Sequence, residues 1–125
     1  MRREMIAVVR ITKDVAEKRL AGVSDDVVFR CHDGRILRNL RELRDALAGM
    51  ENDVFVHHVG EGKNDFSTWV RDIIGDEKLA NDLKKSPTRE EAAKVVSSRI
   101  TFLESKLAST QDTDTLTLDR AGVIL

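Results

Sequence analysis

The groups best able to do chemistry near neutral pH are three histidines, His32, His57 and His58, and one cysteine, Cys31. Together with Asp33 they offer the donor types of a zinc site or of a nucleophile–base pair. The spacing argues against both. Adjacent side chains point to different faces of a helix or a strand, so His57 and His58 do not converge on one ion. His32 points away from Cys31 for the same reason. The expectation is no metal, no cofactor and no catalytic residue. Cys31 is then a small core residue, and His58 packs beside an apolar face and hydrogen-bonds a neighbour.

A second group is Asn64-Asp65 with Trp69, which could present a recognition surface that includes His58. A helix start accounts for Asn64 and Asp65 equally well, with one or the other capping and Trp69 filling the core. A third is the run of arginines at 30, 35, 38, 41 and 44. Arg35, Arg38, Arg41 and Arg44 are the candidates for phosphate contacts. Glu42 and Asp45 are spaced to pair with Arg38 and Arg41, and no aromatic residue interleaves for base stacking. Nucleic acid is therefore the alternative partner and not the favoured one. No glycine-rich phosphate loop, Ser-His-Asp order or HExxH motif is present.

The elements that must position these residues are read from periodicity. Val27–His32, Asp33-Gly34 and Arg35–Leu37 predict a β-hairpin with Val27, Phe29 and Cys31 on one face. Asn39 and Glu42 open a helix with Leu40, Leu43 and Leu47 inward, stopping near Gly49. A short helix capped by Asn52 or Asp53 is favoured for residues 52–59, with a strand as the alternative, and Gly60–Lys63 reads as a loop. Phe66, Trp69, Val70, Ile73 and Ile74 form one helical stripe ending at Gly75. Asp76 caps a helix over 77–85 with Leu79, Ala80 and Leu83 inward. Pro87, Thr88 and Glu91 open a helix to about Leu107, with Ala92, Val95, Val96, Ile100, Leu103 and Leu107 inward and Arg99 and Thr101 outside that stripe. Ile6–Ile11 is a candidate added strand. The expected architecture is α+β and mainly helical, with four or five helices packed with a hairpin near residues 27–37. The helices at 65–74 and 88–107 should be its centre, and Trp69, Phe55, Leu40, Leu43, Ile73, Val96 and Leu103 its core.

The stretch from Phe29 to Leu107 resembles a family of small, uncharacterised prokaryotic domains, largely archaeal, and is similar to part of the DUF5752 group. The resemblance rests on Asp33-Gly34, Leu40–Leu47, Phe55 with His58-Val59, Asn64-Asp65-Phe66 with Trp69, and Asp76 with Leu79-Ala80. It implies a compact helical module, often an accessory to other domains, and no known activity.

Composition sets the frame. The chain has 125 residues, the size of one domain. It divides into an N-terminal segment (1–26), a compact part (27–107) and a tail (108–125) that is polar, then apolar from Leu116. Basic and acidic residues number 21 and 22, for a net charge of −1, so no global pull toward nucleic acid or anionic membrane follows. One cysteine excludes an internal disulfide and fits a reducing, cytoplasmic setting. No apolar run reaches membrane-spanning length, and Arg10 breaks the apolar start too early for a secretory leader. The expected role is a non-catalytic interaction or regulatory module whose partner is another protein or a second copy of itself.

Overall fold

The computed structural model describes residues 11–108. It is mainly helical: six α-helices and two small antiparallel hairpins occur among the described residues. The order is α1 (Lys13–Leu20), β1 (Phe29–Arg30), β2 (Ile36–Leu37), α2 (Leu40–Gly49), α3 (Asn52–His58), β3 (Val59–Gly60), β4 (Lys63–Asn64), α4 (Asp65–Trp69), α5 (Glu77–Lys84) and α6 (Arg89–Ala108). The Ile6–Ile11 strand expectation falls on residues outside the described range except for Ile11, which is in no strand.

Local signals account for most boundaries. The Asn39, Asn64 and Asp76 side chains accept the Glu42, Ser67 and Leu79 N–H groups, so each caps the helix that follows. Thr88 accepts the Glu91 N–H in the same way. The helix α3 differs: it begins at Asn52 after Glu51, without a side-chain cap, so neither Asn52 nor Asp53 acts as expected. Gly60–Lys63, expected as a loop, belongs to the β3–β4 hairpin, with Val59 opposite Asn64 and Gly60 opposite Lys63. In the first hairpin Phe29 faces Leu37, with Phe29 and Cys31 buried and Arg30 and His32 exposed.

The long α6 is the brace of the fold. It packs against α2, α1 and α5, while α4 and its continuation pack on α5. Helix α1 was not foreseen. Thr12 caps it by accepting the Val15 N–H, and Ala16 and Leu20 bury its inner face.

Two core expectations need correction. Ile73 is 37% exposed, although it follows the 3.6-residue stripe of Phe66, Trp69 and Val70. The reason is that α4 continues as a π turn over Val70–Ile74, closed by the Gly75 and Asp76 N–H groups on the Val70 carbonyl. A π turn widens the helix, so Ile74 takes the inward place and Ile73 rotates out. Gly75 then ends the segment at φ 89°, the left-handed conformation that glycine adopts without strain. Arg99, placed outside the α6 stripe, is instead buried at 9% exposure.

Candidate functional site

His58 lies in the last turn of α3 and is buried. Its Nε2 accepts the His32 backbone N–H at 2.9 Å, so Nε2 is unprotonated. The proton is therefore on Nδ1, which donates to Asp65 Oδ2 at 3.0 Å. The ring also packs near Phe29 and Phe66, with centroids 5.1 and 5.2 Å away. Both ring nitrogens are occupied, so this His–Asp pair holds the first hairpin to α3 and α4 and leaves no base facing outward.

The exposed His57 ring stacks on His32 at 3.8 Å, nearly parallel. Desolvation, followed by the neighbouring His32 and His58, lowers the His57 pKa. His57 and His58 are nearly perpendicular, as expected of adjacent side chains. Among the described residues no three His, Cys, Asp or Glu side chains gather as a metal site.

Cys31 is buried, and burial pushes its thiol pKa up; backbone hydrogen bonds from Asp33 and His32 oppose the rise, and the Asp33 carboxylate adds to it. A thiol held in that form is a poor nucleophile at neutral pH. Its thiolate fraction stays small through the pH range where an exposed cysteine ionises. Alkylation by iodoacetamide at pH 7 is expected to run at least about tenfold slower on the native protein than on the urea-unfolded chain. A native rate equal to the unfolded one removes the buried-core assignment.

The recognition candidates come together, but as internal supports. Asn64 caps α4 and donates from Nδ2 to the Leu83 carbonyl, tying α4 to the end of α5. Asp65 is half-buried and takes His58 on one side, with Lys63 3.6 Å away. Trp69 is 7% exposed, and its Nε1 donates to the Val27 carbonyl at 2.8 Å. The arginine patch is balanced locally. Arg35 meets Asp33, Arg38 meets Asp25, Arg41 meets Glu104 and Arg44 meets Asp45. The expected Arg38–Glu42 and Arg41–Asp45 side-chain pairs are replaced. Glu42 accepts the Arg38 backbone N–H, and Arg41 reaches across to α6.

Sequence reasoning missed a different cluster. Asp76, fully buried, caps α5 and also accepts a forked pair of hydrogen bonds from Arg99, at 2.7 and 3.0 Å. The Arg19 guanidinium of α1 stands 3.7 Å from the same carboxylate. Arg19 and Arg99 also line a groove of about 760 Å³ between α1, α5 and α6. Its walls include Ile11, Val95, Ser98 and Phe102, the last 38% exposed. The signal was present in the spacing: Arg99 falls three residues after Val96 and four before Leu103, on the buried side of α6.

No family model, curated protein or solved structure matches this chain.

Proposed function

We propose that the protein is a non-catalytic interaction or regulatory accessory module, with self-association as the first case to test. One observation carries this reading. The polar candidates for chemistry or recognition, His58, Asn64 and Asp65, make internal hydrogen bonds that join helix to hairpin and helix to helix. The outer surface, by contrast, keeps large apolar side chains in water at Ile36, Val56 and Phe102. The resemblance to small accessory domains fits the same role.

Sedimentation of the full chain over a range of concentrations tests self-association. The sedimentation coefficient is expected to rise with concentration. At least one of Ile36→Asp, Val56→Asp and Phe102→Glu should suppress the rise, because a charge placed in an apolar contact is costly to desolvate. A strict monomer at every concentration overturns self-association.

A further inference from the structure

We propose that the groove between α1, α5 and α6 binds a small apolar carboxylate, with its head on Arg19 and its body along Val95 and Phe102. The inference rests on the regulatory reading above and names the ligand class such a module would sense.

The charge balance around Asp76 is uneven. Asp76 is fully buried, Arg99 donates to both of its oxygens, and the Leu79 N–H shares Oδ1. Arg19 is close enough for attraction, but it makes no hydrogen bond among the described residues. Its side chain is only 16% exposed. Two guanidiniums around one carboxylate leave a surplus positive charge that is largely removed from water, with the Arg19 fork unfilled among the described residues. A carboxylate matches that charge and that fork.

The remaining charges at the groove do not cancel the surplus. Lys78 is tied to Asp82 at 2.9 Å. Glu77 and Lys94 line the groove as exposed residues of opposite charge. Away from Arg19, the walls turn apolar. Val95, Ser98 and Phe102 follow one another at three- and four-residue steps along α6, the Phe102 ring with the Arg99 guanidinium 5.0 Å from its centroid, and Ile11, just before α1, lines the same groove. The space lies within the roughly 300–1,000 Å³ of small-molecule sites, so a body on the order of ten carbons fits.

The test uses the full chain with labelled methyl groups and decanoate as probe, at concentrations below its self-assembly. Saturable shifts are expected at Val95 and Ile11 while Val54, buried on α3, stays in place. Decanol and decylamine should bind at least about tenfold more weakly, since neither offers an acceptor anion to Arg19. Arg19→Gln should weaken decanoate by about tenfold or more. Ser98→Phe, at an exposed position, should fill the groove and abolish the shifts without altering the fold. Equal binding of decanol and decanoate, or an unchanged titration in Ser98→Phe, overturns the proposal. Sedimentation is read separately, so self-association without decanoate binding sinks the ligand alone, and the reverse sinks self-association alone.

Discussion

Replacing Asp76 with alanine is expected to destabilise the protein by about 3–5 kcal/mol, read as a fall in the urea midpoint at unchanged slope. The carboxylate does two jobs at once. It caps α5 through the Leu79 N–H, and it neutralises Arg99 inside the fold. Without it the Arg99 guanidinium remains at 9% exposure with its best acceptor gone. Breaking one side of a buried pair costs far more than the intact pair contributes, because an uncompensated charge is left behind. Two further variants separate the jobs. Asp76→Asn keeps an oxygen for the cap and should lose mainly the charge component. Adding Arg99→Met to Asp76→Asn removes the stranded cation and should recover much of the loss, since a packed apolar replacement of an ion pair is often nearly neutral. Additive losses in the double variant would show that the two residues do not act as a pair.

That pair also marks the limit of what the chain reveals before folding. Caps and stripes are local, and they were legible. Asn39, Asn64, Asp76 and Thr88 each start a helix, and Leu40, Leu43 and Leu47 face inward as their spacing predicts. Whatever depends on a distant partner was not. Arg99 sits on the inward side of α6 by spacing, yet a lone charged residue reads as solvent-facing until Asp76, 23 positions earlier, is placed beside it. Arg41 has Asp45 one turn away and takes Glu104 instead, 63 positions on, because α2 packs against α6. Ile73 failed for a local reason of another kind. The π turn at 70–74 changes the helical period, and the apolar pattern carries no mark of it. The groove was beyond reach altogether, since it exists only where α1, an unforeseen helix, meets α5 and α6.

Trp69→Ala is expected to cost about 3–5 kcal/mol, the range for emptying a large aromatic site in a core. The indole is 7% exposed, meets Phe29 edge-on with centroids 5.9 Å apart, and ties α4 to the Val27 carbonyl through Nε1. Trp69→Phe separates packing from the hydrogen bond. It keeps most of the apolar contact and removes the donor, so a smaller loss of about 1–2 kcal/mol is expected. As the only tryptophan, Trp69 also reports on itself. Native emission should be blue-shifted and should move red with the same urea midpoint as the helical circular dichroism. A recognition residue behaves in the opposite way. Its removal would leave the midpoint in place and weaken association, and that result would make Asn64, Asp65 and Trp69 a recognition surface. The hydrogen bond from Nε1 to Val27 favours the structural outcome, because a side chain anchored 42 positions away across the fold cannot turn outward without breaking that tie.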